Sequence, residues 1–318
     1  MTDLKRVLVT GAGGFIGRSS IAPLERMGFE VHAVFSGAAP GSNPTALAGA
    51  FTHVADLLSE RQVAVLLKRV APTHLLHFAW IATPGIYWHS ADNFRWLAAS
   101  QNLLQGFRAL GGIRAVMAGS CVEYDWSKAS VCSETSSPMA DESTSLTPYA
   151  SCKIALQKAL AQFAREEHLS SAWGRIFFQF GPHEHPDRLV PSVIRHLLLN
   201  QEALCTHGRQ IRSFLHVADV GAAFAQLLES DVQGPVNIGS DERIALADLI
   251  DRIALEIGRP DLVRLGARSA PADEPPLLVP DVHRLRDEVH WRPQFSLNEG
   301  LRDAIGWWRG QLGVTGPL

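Results

Sequence analysis

A glycine-rich turn near the start of the chain constrains the fold more than any other feature. Apolar residues 7–9 are typical of a strand, and they lead into Gly11, Gly14 and Gly17, after which apolar residues recur at helical spacing. Glycines at these positions allow a tight turn, close approach of the backbone to a pyrophosphate, and close packing of the following helix, whose free N–H groups face the anion. The spacing is a G-x-x-G-x-x-G variant and predicts a dinucleotide site. A similar turn that binds no ligand is the alternative.

The composition is that of a large globular protein. The 318 residues, 46% hydrophobic and 19% charged, can bury a large core in one large domain or two smaller ones. The net charge of -3 leaves no broad basic field, which argues against nucleic acid or a membrane surface as the main partner. We find no signal peptide and no apolar run of membrane-spanning length, which predicts a cytoplasmic protein. The four cysteines lack metal-type spacing, so we expect free thiols and no metal site.

Strand-like and helix-like segments alternate through the first half of the chain. Candidate strands cover residues 6–10, 30–35, 52–54, 73–78, 114–118 and 171–178, and amphipathic helices cover 59–70 and 92–110. This alternation predicts an α/β fold in which a Rossmann-type doubly wound parallel sheet occupies residues 1–180. The order loosens after residue 181, so we expect residues 181–318 to form a smaller C-terminal α/β substrate domain, with some segments returning to the first domain.

Residues 147–153 contain the candidate acid–base chemistry. Thr147 suits an N-cap and Pro148 the first helical position, which places Tyr149 in the first turn and Lys153 one turn later on the same face. A neighbouring ammonium and the positive end of the helix both favour a phenolate, so we expect the pKa of Tyr149 to fall below its ordinary value of about 10. Exposed Tyr and Lys side chains on an ordinary helix are the alternative.

Ser120 supports a catalytic interpretation of that segment. It lies just past the end of the candidate strand 114–118, at the edge where open α/β sheets bind ligands. A hydroxyl group there can hold a substrate carbonyl. A serine that merely caps a loop is the alternative.

Together these residues resemble the extended short-chain dehydrogenase/reductase family, in its sugar-nucleotide epimerase/dehydratase/reductase branch. The resemblance covers nearly the whole chain. Besides the glycine turn, it rests on residues 56–57, 77–79, 120, 149, 153, 175, 181–182, 212–220, 237–239 and 291–301. It implies a nucleotide-sugar substrate, a nicotinamide cofactor, and a homodimer formed by the helices at 92–110 and 149–167.

The resemblance also implies roles for individual residues. Ser120 would hold the carbonyl, Tyr149 donate the proton, and Lys153 bind the nicotinamide ribose and keep Tyr149 acidic. Arg212 would grip the diphosphate, although an arginine paired with an acidic side chain for stability is the alternative. The predicted cofactor-binding residues are Gly11, Gly14, Phe15, Ile16, Gly17, Arg18, Ser36, Asp56, Leu57, Phe78, Ala79, Tyr149 and Lys153. The predicted substrate-binding residues are Ser120, Cys121, Phe178, Arg188, Leu189, Arg209 and Arg212.

Departures from the family pattern argue against two of the reactions that members of this branch catalyse. Cys121 and Val122 stand where dehydratases of this branch carry an acidic pair, and Glu123 comes too late in the pattern to remove water. Enzymes similar to GDP-fucose synthase, which epimerise before they reduce, carry a cysteine at the position of Val122 and a histidine near that of Arg188. Such epimerisation is therefore not expected. Two family asparagines near the junction of sugar and nicotinamide are replaced, by Trp96 and Phe178.

The end of the second strand predicts the cofactor. NAD-preferring relatives place an acidic residue there, whereas this chain has Ser36, which would not repel a 2′-phosphate, and Arg18 could supply a cation. NADP(H) is therefore favoured over NAD(H). The predicted function is an NADPH-dependent reductase of a nucleotide-linked 4-keto-6-deoxy sugar, with hydride transfer to C4 and Tyr149 as proton donor. An NAD-dependent nucleotide-sugar 4-epimerase and a non-catalytic dinucleotide-binding sensor or scaffold are the alternatives.

Overall fold

A computed structural model describes residues 5–37, 49–139, 146–271 and 274–314, in which strands and helices alternate. The strands are β1 (Arg6–Thr10), β2 (Glu30–Phe35), β3 (Phe51–Val54), β4 (His74–His77), β5 (Arg114–Ser120), β6 (Val131–Cys132), β7 (Ser170–Ile176), β8 (Phe178–Phe180), β9 (Ala203–Leu204), β10 (Ile211–His216), β11 (Gly234–Ile238), β12 (Arg243–Ala245), β13 (Val263–Arg264) and β14 (Val279–Pro280). The helices are α1 (Gly17–Arg26), α2 (Glu60–Val70), α3 (Asp92–Ala109), α4 (Pro148–Glu166), α5 (Leu189–Leu198), α6 (Val217–Glu229), α7 (Leu246–Ile257) and α8 (Leu297–Leu312).

Seven strands form one parallel sheet in the order β11-β7-β5-β4-β1-β2-β3. The chain order reverses between β1 and β4, which is the switch point where open α/β sheets bind ligands. One face of the sheet packs against α1 and α6, whose core residues include Leu24 and Phe224. The other face packs against α2, α3 and α4, with Leu67, Phe107 and Leu160 in the core. The predicted α/β fold with a Rossmann-type parallel sheet is confirmed.

One predicted strand is divided into two. The expected strand 171–178 is wrong in this respect, because β7 ends at Ile176 and β8 begins at Phe178. The β8 strand leaves the large sheet and pairs in parallel with β10, Phe178 opposite Phe214, in a three-stranded sheet of order β12-β10-β8. The apolar residues Ile176, Phe177 and Phe178 continue across the break, so the sequence pattern does not reveal the change of sheet. The break directs β8 and the loop after it toward the edge that carries Ser120.

Elements after residue 180 contribute to two cores. The helices α5, α7 and α8 pack around a second core with Ile194, Ile253 and Ile305 at its centre. Meanwhile β11 joins the large sheet beside β7, and α6 packs against α1 so closely that a Cβ on Gly221 would lie 2.3 Å from the Ser19 carbonyl oxygen. Two segments from the second half thus belong to the large sheet's layers. The division into domains at residue 180 stays a prediction.

The structure also bears on the cysteines, on membrane-spanning helices and on metal-type clusters. All four cysteines are buried and unpaired. In the described part of the chain, no helix combines the length and apolar character needed to cross a membrane. Within those same ranges, no cluster of three or more His, Cys, Asp or Glu side chains is arranged to hold a metal ion.

Candidate active site

The glycine turn lies at the switch point, between β1 and the start of α1. Gly11 has a φ of +68°, and a Cβ there would lie 2.8 Å from the backbone nitrogen of Ala79. A Cβ on Gly17 would lie 2.2 Å from the Gly11 carbonyl oxygen. Only glycine fits at either position. No side chain caps the first turn of α1 at Ile16. The backbone N–H groups of Arg18 and Ser19 donate to the carbonyls of Gly14 and Ile16, which leaves the N–H groups of residues 15–17 to face an anion. This cradle fits the pyrophosphate of a dinucleotide, with Phe15 inside the turn.

The residues predicted to meet the adenosine half lie along the same edge of the sheet. Arg18 folds back onto the turn, where its Nη2 donates to the Gly13 carbonyl at 2.8 Å, and burial lowers its pKa. Its Nε is buried without a hydrogen-bond partner among the described residues. Ser36 is exposed directly after β2. Asp56, with an exposed side chain, and Leu57, which is buried, follow β3.

The segment after β4 forms the wall beside the glycine turn. His77 is buried and is hydrogen-bonded through Nδ1 to Thr10 Oγ1 at 2.7 Å and through Nε2 to Ser100 Oγ at 2.9 Å. Burial lowers the pKa of His77 to about 3, so the ring is neutral at physiological pH. The Phe78 backbone N–H donates to the Thr10 carbonyl at 3.2 Å, and the backbone of Ala79 contacts the turn. The segment thus lies beside the glycine turn, and its contact with the cofactor stays a prediction.

The helix that carries the acid–base residues begins as the sequence predicts. Thr147 Oγ1 accepts a hydrogen bond from the Ala150 backbone N–H at 3.2 Å, and Pro148 occupies the first turn. Lys153 is buried, with its Nζ donating to the Ala118 carbonyl at 2.9 Å. The same Nζ lies 3.9 Å from the ring centroid of Trp80. Burial lowers the pKa of Lys153 to about 7, and the charge of Glu123 opposes that shift.

The expected lowering of the Tyr149 pKa is wrong. Burial, with a smaller contribution from Tyr87, raises this pKa and outweighs the hydrogen bond with Ser120 that lowers it. The Tyr149 ring packs edge-on against Tyr87 at 4.8 Å and against Trp88 at 5.8 Å between centroids. Meanwhile the Lys153 ammonium is held by a carbonyl and an indole. Among the protein's own groups burial dominates, so Tyr149 stays protonated at neutral pH.

Glu123 anchors the strand end that carries Ser120. Its Oε1 accepts from the Ser120 backbone N–H at 2.7 Å, its Oε2 accepts from Arg175 Nε at 2.8 Å, and both oxygens accept from Trp173 Nε1. Only 1% of Glu123 is exposed. These hydrogen bonds make Glu123 a structural anchor between β5 and β7, and the expectation that it removes no water stays a prediction. Its anchoring role was not predicted, although an acidic residue just after β5 and an arginine on the neighbouring β7 are the signal.

Arg212 and Phe178 form one side of the predicted substrate region. Arg212 is 3% exposed, its Nη2 donates to Glu274 Oε1 at 3.0 Å, and its guanidinium carbon lies 5.4 Å from the Phe178 ring centroid. The structure thus contains the ion pair with an acidic side chain that was the alternative role for Arg212. The same guanidinium also lies beside Phe178, so the pair does not remove Arg212 from the predicted substrate region. Cys121 is buried, and burial raises the pKa of its thiol to about 12, so a thiolate is disfavoured there. Its contact with the substrate stays a prediction.

Arg188 approaches Tyr149 through an aromatic ring that was not predicted from the sequence. Its guanidinium carbon lies 5.6 Å from the ring centroid of Tyr87, which itself packs against Tyr149. Leu189 opens α5 directly after Arg188. Arg209 is exposed on the loop before β10, and none of the described contacts ties its side chain to this cluster. The signal for the missed wall is the density of aromatic residues between 80 and 96.

Comparison with known proteins supplies the family. The sequence model of the NAD dependent epimerase/dehydratase family matches residues 7–239 of this chain. A dTDP-4-dehydro-6-deoxy-D-allose reductase from Streptomyces sp is 26% identical over 324 residues, 96% of this chain and 96% of the relative. The solved UDP-glucose 4-epimerase from Thermotoga maritima superposes with a TM-score of 0.85 at 20% identity over 96% of this chain and 99% of that one. MoeE5, solved with UDP-glucuronic acid and NAD, gives a TM-score of 0.78 at 29% identity over 96% and 99%.

Proposed function

The chain belongs to the NAD-dependent epimerase/dehydratase family, and from that premise we propose that it is an NADPH-dependent reductase of a nucleotide-linked 4-keto-6-deoxy sugar. The observation that carries the proposal is the placement of Tyr149 and Lys153, one helical turn apart on α4, beside Ser120 at the sheet edge that also holds the glycine turn. A phenol at this place can give its proton to a carbonyl oxygen, which is the step that a reductase requires. The reductase from Streptomyces sp, which aligns over 96% of this chain, supports the same direction.

The residues at the edge of the sheet fit a nicotinamide dinucleotide. Gly11, Gly14 and Gly17 would hold its pyrophosphate, because the turn excludes any Cβ at Gly11 and Gly17. Lys153 would bind the nicotinamide ribose. When bound, the reduced cofactor supplies the hydride that is added to C4 of the sugar.

The protein's own groups handle the oxygen of the sugar carbonyl. The Ser120 hydroxyl donates a hydrogen bond to that oxygen and holds the carbonyl in place. As C4 is reduced, the phenol proton of Tyr149 moves to the same oxygen, which becomes the hydroxyl of the product. The ammonium of Lys153 then stabilises the phenolate left on Tyr149, and solvent returns a proton to it.

The preference for NADP(H) rests on the groups near the end of β2. Ser36 carries no charge that would repel a 2′-phosphate, and the half-buried Arg18 has an unpaired Nε close to the turn. We expect Ser36→Asp to shift the preference toward NADH, because a carboxylate repels the 2′-phosphate. The ratio of kcat/KM for the two cofactors tests this, and a wild-type preference for NADH contradicts it.

Arg212 is proposed to hold the diphosphate of the sugar nucleotide. Glu274 and the Ile211 carbonyl fix its guanidinium beside Phe178, which presents the planar fork in one orientation. Arg188, over Tyr87, is proposed to meet the sugar end, with Leu189 beside it. Cytoplasmic location and a homodimer formed through α3 and α4 complete the proposal, and the exposed Phe94 on α3 supports that interface.

One experiment on purified protein distinguishes the proposed reductase from a 4-epimerase and from a dinucleotide-binding sensor. A 4-epimerase keeps NAD bound, so denaturation would release NAD, and it interconverts sugars without net use of added cofactor. A sensor binds a dinucleotide without turnover. The proposed reductase oxidises added NADPH when a nucleotide-linked 4-keto-6-deoxy sugar is present. Release of stoichiometric NAD, or binding of NADPH without turnover of any keto sugar in a panel, contradicts the proposal.

A further inference from the structure

The indole of Trp80 covers the ammonium of Lys153. Trp80 follows β4 by three residues, and its ring centroid lies 3.9 Å from Lys153 Nζ. A cation at this distance over an indole face is attracted by the negative face of the ring. The hydrogen bond from Nζ to the Ala118 carbonyl, at 2.9 Å, is its other described polar contact. The Ala118 carbonyl and the Trp80 indole are therefore the near contacts of the ammonium, since the second indole, Trp173, lies farther away, at 5.9 Å.

A fully buried amide holds that indole. Trp80 Nε1 donates to Asn93 Oδ1 at 2.8 Å, and Asn93 is 0% exposed. Asn93 Nδ2 donates to the carbonyls of Tyr87, at 2.6 Å, and Ser90, at 2.8 Å. Both donors of the amide and its oxygen are thus engaged. Rotation of this side chain would break at least one of these bonds inside the protein, so the amide is locked.

The same amide fixes the segment that packs against Tyr149. The carbonyl that Asn93 holds belongs to Tyr87, whose ring lies edge-on against Tyr149 at 4.8 Å. The next carbonyl, of Trp88, accepts a hydrogen bond from the Tyr149 backbone N–H at 3.3 Å. The contacts of Lys153 and those of Tyr149 therefore converge on Asn93.

We propose that Trp80 and Asn93 are positioning residues for the Tyr149–Lys153 pair. Trp80 seats the Lys153 ammonium, and Asn93 fixes both Trp80 and the Tyr87 segment. Trp96, which replaces a family asparagine, lies 6.4 Å from Trp80 between ring centroids and supports the back of this seat. The inference rests on the proposed function only in taking Tyr149 and Lys153 as the reacting groups.

Two substitutions of Trp80 separate the indole face from simple packing. Trp80→Phe keeps an aromatic face over Nζ and loses the bond to Asn93, whereas Trp80→Leu loses both. We expect kcat to stay within about threefold of wild type for Phe and to fall about tenfold or more for Leu, with little change in the KM for the sugar nucleotide. Trp308→Phe and Trp308→Leu are the matched controls, because Trp308 also lies under a cation, Arg195 at 5.4 Å, in the second core.

A readout independent of catalysis follows Lys153 directly. The chain has five lysines, so NMR of lysine labelled at Cε resolves few signals, and Lys153→Arg identifies one of them. A ring 3.9 Å away shields the Lys153 methylene protons. We expect the shielded signal in wild type and in Trp80→Phe, and its loss in Trp80→Leu. Asn93→Asp keeps the acceptor for Trp80 Nε1 but loses both donations, so we expect the signal to persist while kcat falls.

The possible results distinguish a failure of the positioning role of Trp80 and Asn93 from a failure of the proposed reductase function. Equal losses of kcat in Trp80→Phe and Trp80→Leu, an unchanged kcat in Trp80→Leu, or an equal loss in Trp308→Leu would overturn the positioning role of Trp80. An unchanged kcat in Asn93→Asp would overturn that of Asn93. If the wild-type protein reduces no keto sugar, the proposed function fails, and the same substitutions are then scored by the NMR signal and by NADPH affinity. In that case, loss of the shielded signal without any change in NADPH affinity overturns the inference.

Discussion

Replacing Glu123 by glutamine should destabilise the protein by about 3 kcal/mol. The side chain is buried and accepts hydrogen bonds from Ser120, Trp173 and Arg175. A glutamine can keep one oxygen as an acceptor, but its NH2 group then faces an N–H donor, and the Arg175 charge is left buried without its carboxylate. Removing one partner of a buried pair costs about 3 to 5 kcal/mol. We expect the lower end, because Arg175 keeps its bonds to the Tyr124 hydroxyl and the Glu134 carbonyl.

The same substitution should also move the ionisation of Lys153. The charge of Glu123 raises the Lys153 pKa against burial, which lowers it to about 7. Without that charge the pKa falls further, so the ammonium is lost at a lower pH. The alkaline limb of the kcat/KM profile should therefore shift toward acid in Glu123→Gln.

Urea unfolding at pH 7 measures the first effect, and kcat/KM between pH 5 and pH 9 measures the second. Glu134→Gln is the matched control, because Glu134 also accepts a buried backbone bond, from Asn237 at 2.8 Å, but lies outside the ion pair with Arg175. We expect it to cost less than about 1 kcal/mol. A loss below about 1 kcal/mol in Glu123→Gln would refute the buried-pair argument, and an unmoved alkaline limb would refute the electrostatic one.

Three further substitutions test the site. Tyr149→Phe should lower kcat by a factor of about 100 to 10,000 with NADPH affinity nearly unchanged, and near-wild-type turnover removes Tyr149 from the mechanism. Arg212→Ala should weaken sugar-nucleotide binding by about 2 to 3 kcal/mol without affecting NADPH, whereas a lower Tm with intact sugar affinity would show that Arg212 serves only its pair with Glu274. Burial raises the pKa of Glu184 from its ordinary 4.5 to about 8. Between these values the folded state keeps the proton and the unfolded state loses it, so the free energy of unfolding falls as pH rises from 4.5 toward 8. Glu184→Gln should therefore gain about 3 kcal/mol relative to wild type between pH 5 and pH 8 in unfolding experiments, and an unchanged difference refutes the assignment.

The fold could be predicted from the sequence wherever its signals are local. The glycine turn between β1 and α1 and the Thr147–Pro148 start of α4 depend on backbone geometry that a few adjacent residues dictate. The parallel sheet follows from the alternation of strands and helices. The break at Phe177 could not be predicted, because the apolar residues 176–178 run across it and only the strands beside β7 and β8 decide which sheet each one joins.

The sequence predicts that Ser120, Tyr149 and Lys153 lie close together, but it does not predict the electrostatics of this cluster. Lys153 lies in the same helix as Tyr149, so the sequence suggests an attraction that favours the phenolate. The aromatic side chains that bury Tyr149 come from residues 87–88, about sixty positions away in the sequence, and their effect on the pKa is opposite. The pair between Arg212 and Glu274 likewise depends on a contact between distant segments.

Transfer of deuterium from NADPH to the sugar distinguishes a reductase from an epimerase. The protein is mixed with NADPH deuterated at the reactive carbon of the nicotinamide and with a panel of nucleotide-linked 4-keto-6-deoxy sugars. We expect one sugar molecule to be reduced for each NADPH oxidised, and its product to carry deuterium at C4. Formation of a product without deuterium and without NADPH consumption, as in an epimerase, or reduction of no sugar of the panel, would contradict the proposed reductase function.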